Sequence, residues 1–276
     1  MAYVYTLEPV PVTRRYRNLL LTERTERQLG ARVFEQVKQQ SLGNRTLLRP
    51  SDARTQRVRR VGKRIAVAVE RLRKKLATSG EAHRHLRALD WEFIVVNSEQ
   101  VNAFVVPGGK VCVFSGLLRR CRSDDELATV IGHEAAHVVA RHTNENLTTG
   151  ALFTAIRLML ALALDVSFLG SAAVSVLFEL PMSRRNELEA DRIGLELMSD
   201  ACYDPRASAR VYAMLGDGGA DHMTFLSTHP PSQARIEQIK KLTPGAIEKF
   251  ERQCGSMRSR LIPGGVSRLS NSSVVL

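Results

Sequence analysis

Two histidines and a glutamate stand at a spacing that can bind and use a metal ion. His133, Glu134 and His137 form an HExxH sequence inside the apolar run Val130–Val139. Four residues along an α-helix turn the chain by about 400° and raise it by about 6 Å, so both imidazoles can reach one ion. Zinc accepts nitrogen ligands in a tetrahedron that keeps one position for water. Glu134, about 100° round the helix, is placed to take a proton from that water.

The flanking sequence predicts that this spacing is helical, over about residues 124–141. Ser123–Glu126 is a capping box whose side chains satisfy the first amides of a helix and bring acids to its positive end. Apolar residues then recur at helical steps, namely Leu127, Val130, Ile131, Ala135 and Val138. The alternative is two histidines that share a face by chance. The capped apolar helix favours a metallopeptidase site instead.

A zinc site needs a third protein ligand in addition to His133 and His137. On a continuous helix, His142 would lie about 140° from His137, which excludes it as a partner of that ligand. A glutamate on a second helix is the usual alternative, and Glu187-Leu188-Glu189-Ala190-Asp191 supplies one. There Glu187 can bind zinc while Asp191, four residues on, accepts a hydrogen bond from a ligand histidine. Glu189 points elsewhere, and a solvated acidic face is the alternative for this helix.

Motifs on both sides of these residues resemble the Ste-type gluzincins, the zinc metallopeptidases that include the CAAX prenyl proteases and HtpX. The motifs are HEAAH, NELEADRIG about 50 residues later, and STHPP at residues 227–231. The resemblance covers at least residues 91–240 and is strongest to the Oma-type proteases of the mitochondrial inner membrane. It implies one zinc ion per chain on His133, His137 and Glu187, with Glu134 as the general base.

The resemblance also implies how a substrate is bound. Asn102–Val106 and Lys110–Phe114 flank Pro107-Gly108-Gly109 and are predicted to form a β-hairpin. An edge strand beside a zinc helix can bind an extended peptide as one more strand, through main-chain hydrogen bonds. The family implies this use, which makes Asn102, Ala103 and Phe104 candidate substrate-binding residues.

Two further residues are candidates near the site. His229 stands between Thr228 and Pro230 at a helix start, where its imidazole could polarise the oxyanion of the reaction. The alternative is that His229 has only a structural role. Arg235 is a candidate for pinning the same loop or for binding a carboxylate of the substrate.

The positive charge is concentrated at the start of the chain. The 276 residues carry a net charge of +12, and nearly all of the excess lies in residues 1–90. A helix at about 58–76 alternates apolar residues with arginines and lysines, which suits an anionic membrane surface. A packed helix with a solvated basic face is the alternative. Aromatic residues make up only 5% of the chain, which argues against nucleic acid as a partner.

The stretch Leu147–Leu180 carries only Arg157, Asp165 and Glu179 as charges. One membrane crossing would separate Glu187 from His137, and two crossings need about 40 residues and a turn. We therefore predict an apolar helical hairpin, broken near Asp165, that caps the site or enters the membrane interface.

The remaining histidines and cysteines show no pattern of metal ligands. Four cysteines lack C-x-x-C or framework spacing and are predicted to be reduced thiols: Cys112, Cys121, Cys202 and Cys254. His83, His85 and His222 are predicted to lie at the surface.

The sequence thus predicts a mostly α (α+β) fold, with a zincin-like helical core and a small β-hairpin as the substrate edge. Three regions are expected: an N-terminal basic arm and helix at 1–55, the metallopeptidase domain at 56–250, and a disordered tail at 251–276. Within the first region, residues 1–17 are predicted to be irregular because of Pro9 and Pro11, and the last helix of the domain is predicted at 231–241.

We expect a zinc metalloendopeptidase that cleaves membrane-associated or misfolded proteins. The rivals are a non-catalytic basic protein that binds lipid or nucleic acid through residues 54–75, and a zinc-bound relative that binds substrates without cutting them. The resemblance implies the mitochondrial inner membrane, although no signal or transit peptide is visible. Anionic lipid is an expected partner, and self-association is left open.

Overall fold

The computed structural model describes residues 7–80, 83–151, 183–216, 225, 229–230 and 232–261. Its described part is mostly helical with two small sheets, which confirms the predicted fold class. In chain order the elements are β1 (Leu7–Pro9), β2 (Tyr16–Asn18), α1 (Glu23–Gly43), α2 (Ala53–Thr78), a 3-10 turn (Arg84–Ala88), β3 (Glu92–Val96), β4 (Ala103–Val106), β5 (Lys110–Phe114), α3 (Ser115–Arg120), α4 (Asp124–Val139), α5 (Arg184–Asp200), α6 (Ala207–Gly216) and α7 (Gln233–Leu261).

The central sheet has the strand order β3-β5-β4. Strand β3 runs parallel to β5, and β4 pairs with β5 in the opposite direction as the predicted hairpin. The hairpin turn requires its glycines, since Gly108 and Gly109 have φ values of 94° and 88°. Strand β4 is therefore an edge strand of this sheet.

Alternate residues of the sheet pack on opposite sides. Val95 and Val113 join the main core beneath α2 and α4, while Ile94 and Cys112 pack with Phe34 of α1. This alternation follows from the period of two along a strand. The sheet is thereby buried on both faces and forms a firm support for β4.

Helix α2 uses much of its basic face inside the molecule. Arg57 and Arg60 pair with Asp124 at the start of α4, at 2.9 and 2.8 Å. Arg64 and Arg71 donate to carbonyl oxygens at the C-terminal end of α5, at 2.6 and 2.9 Å. The arginines therefore join the ends of the two helices that carry the candidate zinc ligands.

The N-terminal arm is more regular than predicted. Strands β1 and β2 pair antiparallel, with Leu7 opposite Asn18 and Pro9 opposite Tyr16. The prolines are compatible with this pairing because Pro9 ends its strand and Pro11 lies in the connecting turn.

Two cysteines were wrongly predicted to be reduced thiols. Cys202, just after α5, forms a disulfide with Cys254 of α7, across a separation of 52 residues. Their spacing gives no local signal, because the pairing depends on how α7 packs against the end of α5. Cys112 and Cys121 are buried free thiols.

The last helix is much longer than the predicted 231–241. Helix α7 continues to Leu261 because Ala246, Phe250 and Cys254 extend its buried face past Pro244. The predicted disordered tail therefore begins inside a helix, and residues 262–276 lie outside the described residues.

Most of the predicted apolar hairpin also lies outside the described residues, at 152–180. Among the residues that the structure describes, none of the helices combines the length and apolar composition that a membrane crossing requires.

Helices α4 and α5 touch through their backbones at two glycines. A Cβ atom on Gly194 would lie 3.1 Å from the backbone of His133, and one on Gly132 would lie 3.2 Å from the Gly194 carbonyl oxygen. Larger residues at either position would force the two helices apart. The close approach brings the side chains of both helices into one site.

We predict that Gly194→Val lowers the free energy of unfolding by about 1–3 kcal/mol, because added side-chain atoms overpack this contact. Urea titration measures the change. Gly255→Val is the matched control, since no atom lies within 4 Å of a Cβ at Gly255 in α7. Equal stability of the two variants would contradict the close contact.

Candidate metal centre and active site

Three predicted zinc ligands meet where α4 and α5 cross. His133 Nε2 lies 3.1 Å from His137 Nε2 and 3.4 Å from Glu187 Oε2. His137 Nε2 lies 3.6 Å from Glu187 Oε1. All three side chains are buried. Together with His229, each offers one ligand atom, and these atoms lie within 4.8 Å of one another.

The chemistry of these atoms fits a cation. Two imidazole nitrogens and a carboxylate converge, and their lone pairs would repel one another without a positive charge between them. Burial and the nearby His133 hold the pKa of His137 well below its ordinary value. Burial alone would raise the pKa of Glu187, but hydrogen bonds from His133 and His229 outweigh it and lower that pKa strongly. Burial alone would lower the pKa of His133, but its contacts with Asp191 and Glu187 outweigh burial and raise that pKa to about 9. Zinc binds neutral imidazoles and a charged carboxylate, so binding of the metal would release the proton of His133.

The outer nitrogen of His133 faces a carboxylate, as predicted from the sequence. His133 Nδ1 lies 3.0 Å from Asp191 Oδ1. Asp191 also accepts from Arg235 Nε and Nη2, both at 2.8 Å, and from the Tyr212 hydroxyl. This network fixes the orientation of His133, with Nε2 turned toward the other candidate ligands.

Arg235 contacts the acids of α5 that belong to the candidate metal site. Besides Asp191 it contacts Glu187 Oε2 at 2.8 Å and donates to the carbonyl oxygens of His229 and Pro230, both at 3.2 Å. The side chain is only 2% exposed. This geometry matches the loop-pinning role that the sequence left open, because every guanidinium nitrogen already has a protein partner and none faces a substrate.

Glu134 lies beside the cluster and next to the edge strand. Its carboxylate is buried and accepts a hydrogen bond from the backbone N–H of Val105 in β4. Burial raises the pKa of Glu134, which makes the carboxylate a stronger proton acceptor. The structure thus brings the predicted base and the predicted substrate strand together.

The three candidate substrate-binding residues lie at the start of this strand. Ala103 is buried in the core, and Phe104 packs against Phe114 with ring centroids 6.1 Å apart. Asn102 is half-buried and its carbonyl accepts from Phe114 N–H at 3.0 Å. The side chains of Ala103 and Phe104 pack in the fold, whereas Asn102 Oδ1 is buried without a hydrogen-bond partner among the described residues. The backbone of β4 is thus the element that could meet a peptide.

His229 lies within hydrogen-bonding distance of two candidate zinc ligands. Its Nδ1 is 3.0 Å from Glu187 Oε1 and 3.3 Å from His133 Nε2. Its Nε2 is 3.3 Å from Glu134 Oε1. The imidazole can therefore offer a fourth ligand atom or act on a group bound beside Glu134.

The exclusion of His142 as a zinc ligand agrees with the cluster of ligand atoms, which does not include it, but the continuous helix that this argument assumed is not observed. Helix α4 ends at Val139, and Arg141 adopts a left-handed conformation with φ of 51°. His142 is thereby turned back, with Nδ1 at 2.9 Å from His137 Nδ1. It lies on the side of His137 away from the other ligands, so it is a neighbour of a ligand and not a ligand itself.

The solvated acidic face that the sequence left as an alternative is not observed at Glu189. Glu189 does point away from Glu187, but its side chain is buried and lies 3.1 Å from His142 Nε2. No local spacing pattern could reveal this contact, because it depends on the chain reversal at Arg141. Burial lowers the pKa of His142, which keeps the imidazole neutral.

His85, predicted to lie at the surface, is buried at the end of α4. Its Nε2 lies 2.9 Å from the carbonyl oxygen of Val139. Burial lowers the pKa of His85 to about 3, so the neutral ring donates Nε2–H to this carbonyl group. The contact satisfies one of the unpaired carbonyls that a helix leaves at its C-terminal end.

Comparison with known proteins agrees with this geometry. The Peptidase family M48 model matches residues 53–243. Mitochondrial metalloendopeptidase OMA1 of Saccharomyces cerevisiae is 41% identical over 182 residues, which is 62% of this chain and 53% of the relative. The OMA1 protein of Schizosaccharomyces pombe is 38% identical over 256 residues, covering 90% of this chain and 70% of the relative.

A more distant relative is bacterial. The beta-barrel assembly-enhancing protease of Escherichia coli O157:H7 is 29% identical over 188 residues, which is 62% of this chain and 39% of the relative. The chain thus spans about half the length of the Saccharomyces relative. Since the family model matches well over half of the chain and includes the HExxH helix and α5, the chain belongs to peptidase family M48.

Proposed function

We propose that this chain is a zinc-dependent metalloendopeptidase that binds one zinc ion through His133, His137 and Glu187. The observation that carries the proposal is the convergence of these three buried ligand atoms beside the carboxylate of Glu134. Three protein ligands with a water position are the usual arrangement of a catalytic zinc.

The residues of the chain divide the work of peptide hydrolysis. Zinc, when bound, supplies Lewis-acid chemistry by acidifying water and polarising the scissile carbonyl group. Glu134 accepts the proton that the water loses as its oxygen attacks the carbonyl carbon. The protonated Glu134 then donates this proton to the departing nitrogen as the C–N bond breaks. His229, 3.3 Å from Glu134, is placed to donate a hydrogen bond to the developing oxyanion.

An extended segment of protein is the substrate class that fits. In the described sheet, the edge of β4 that does not pair with β5 lies beside Glu134, and a peptide added to this edge would be held by main-chain hydrogen bonds. Such bonds ignore side-chain identity, so unfolded or misfolded proteins are the proposed substrates, including ones at membranes.

Two rival functions explain the observations less well. A non-catalytic basic module would need the cations of residues 54–75, but Arg57, Arg60, Arg64 and Arg71 contact other parts of the chain. A zinc protein that binds substrates without cutting them would have no use for a buried base beside the ligands. The retained Glu134 favours catalysis.

We also propose a mitochondrial location, which is supported by the names of the OMA1 relatives. The membrane surface remains the proposed partner, with attachment through exposed lysines on α2. The described helices supply no membrane span, so attachment of this part of the chain would be peripheral.

Metal content tests the ligand set. Glu187→Gln replaces the only carboxylate of the cluster by a neutral amide, and we expect it to lower zinc content far below one ion per chain. Metal analysis of the purified protein gives the answer. Glu196→Gln, a change at a half-buried position of the same helix, is the control and should keep the zinc. Full zinc occupancy in Glu187→Gln would place the third ligand elsewhere.

A second variant separates binding from chemistry. Glu134→Gln keeps a similar shape but cannot accept the proton of water, so we expect a loss of about 10²–10⁴-fold in turnover with unchanged zinc content. Cleavage of an unfolded protein substrate, measured alongside metal content, tests this. Parental turnover in the variant would rule out Glu134 as the base.

Membrane attachment is tested by flotation with liposomes. We expect binding to anionic but not neutral vesicles, weakening as salt is raised, because exposed lysines are screened. The double variant Lys63→Gln, Lys74→Gln should bind roughly 30-fold more weakly, since each cation contributes about 1 kcal/mol near anionic lipid. The control is Lys240→Gln, Lys241→Gln on α7, whose lysines are equally exposed. Equal binding of both double variants would contradict attachment through α2.

A further inference from the structure

We propose that the N-terminal segment, residues 7–26, completes the metal centre by positioning His137 through Arg15, Glu189 and His142. The inference rests on the proposed zinc site and adds a positioning role for three residues. It also extends the working unit beyond residues 53–243, which match the family model.

The first step is the chain reversal that presents His142. Arg141 has a φ of 51°, and its side chain is only 2% exposed. Its guanidinium lies 2.8 Å from Glu8 Oε2 and 2.6 Å from Glu26 Oε2, and it donates to the carbonyl oxygen of Leu21 at 3.2 Å. All three partners belong to the N-terminal segment. The segment therefore holds the left-handed residue that ends α4 and turns His142 toward His137.

The second step is a hydrogen-bonded chain with one consistent arrangement of protons. His137 faces the ligand cluster with Nε2, so its hydrogen is on Nδ1 and is donated to His142 Nδ1 at 2.9 Å. His142 then carries its own hydrogen on Nε2 and donates it to Glu189 Oε2 at 3.1 Å. A ligand histidine held in this way keeps its ring orientation and its basicity.

The third step is the pair of contacts that the N-terminal segment makes with Glu189. Arg15 Nη2 lies 2.6 Å from Glu189 Oε2, and the Thr13 hydroxyl donates to Glu189 Oε1. Arg15 also forms two parallel bonds of 2.7 Å with Glu145, which fix the plane of its guanidinium. Glu189 would otherwise be a buried carboxylate with His142 as its one neutral donor.

The turn that presents these two side chains is strained. Val12 and Arg14, on either side of Thr13, have φ values of 74° and 57°, which are unfavourable for residues other than glycine. Such conformations persist where the surrounding contacts over-determine them, and they cluster at functional sites. The contacts with Glu189 and Glu145 help to hold this turn, together with backbone hydrogen bonds from Val10 N–H to the Arg15 carbonyl oxygen and from Arg14 N–H to the Val10 carbonyl oxygen, at 2.8 and 2.9 Å.

The two ligand histidines therefore depend on different parts of the chain. His133 is oriented by Asp191, which lies on α5 inside the matched region. His137 is oriented by a chain of contacts that ends at Arg15 in the N-terminal segment, outside the residues that match the family model. A substitution in the N-terminal segment should therefore loosen His137 while His133 stays in place.

The experiment measures how firmly zinc is held, in the full chain with Glu134→Gln so that no self-cleavage interferes. Zinc release to a chelator is followed for Arg15→Gln, His142→Leu and His142→Asn. Cobalt loaded in place of zinc reports ligand geometry through its visible absorption. Thermal unfolding of the metal-free protein reports the integrity of the fold.

We expect Arg15→Gln and His142→Leu to weaken zinc binding about 10- to 100-fold and to alter the cobalt spectrum, as loss of outer partners does. His142→Asn should restore much of the retention, because its amide oxygen can accept from His137 Nδ1. Arg185→Gln is the matched control, since Arg185 contacts the same Glu145 at 3.1 Å. We expect it to release zinc at the parental rate.

The outcomes separate this inference from the proposed function. A parent chain that takes up no zinc overturns the proposed function and this inference with it. A parent that binds zinc, with Arg15→Gln and His142→Leu releasing it at the parental rate, overturns this inference alone. So does equal weakening by His142→Leu and His142→Asn in step with a loss of metal-free stability, because that result indicates packing and not positioning.

Discussion

The close approach of α4 and α5 is the constraint on which the site depends. Gly132 and Gly194 let the two backbones touch, with a Cβ at either position only 3.1–3.2 Å from the facing helix. Side chains of fixed length then decide what can meet: Glu187 reaches both imidazoles of α4 only when the helices are this close. The apolar residues around the glycines, such as Ile131 and Ile193, are fully buried and hold the contact.

Burying three acids of one helix requires compensating cations. Glu187 and Asp191 share Arg235, and Glu189 is paired with Arg15. A buried carboxylate without such a partner would lose several kcal/mol of solvation, so the arginines are part of the site as much as the ligands are. Arg15 precedes β2 and Arg235 lies in α7, so residues far apart in the sequence meet at this site.

The parts of the site that could be predicted from the sequence are the local ones. The cap at Ser123, the spacing of His133 and His137, and the turn at Gly108 depend on neighbouring residues, and each is observed as predicted. The pairing of Cys202 with Cys254 and the buried state of Glu189 depend on contacts between distant segments. His142 shows most clearly what local spacing cannot predict. On a continuous helix it would lie about 140° from His137, but the left-handed residue Arg141 turns it into direct contact with that ring.

The basic N-terminal half also takes on a different meaning once the packing is known. Helices α4 and α5 run antiparallel, so the start of one lies beside the end of the other, and Asp125 accepts from Asp204 N–H at 2.9 Å there. Helix α2 spans this junction, with Arg57 on an acid at the start of α4 and Arg64 on a carbonyl oxygen at the end of α5. A cation at a helix C-terminus is stabilising by about 0.3–1 kcal/mol at an exposed site. Part of the positive charge that suggested an anionic partner is therefore used to hold the two ligand helices together, while exposed cations such as Lys63 and Lys74 can still meet a surface.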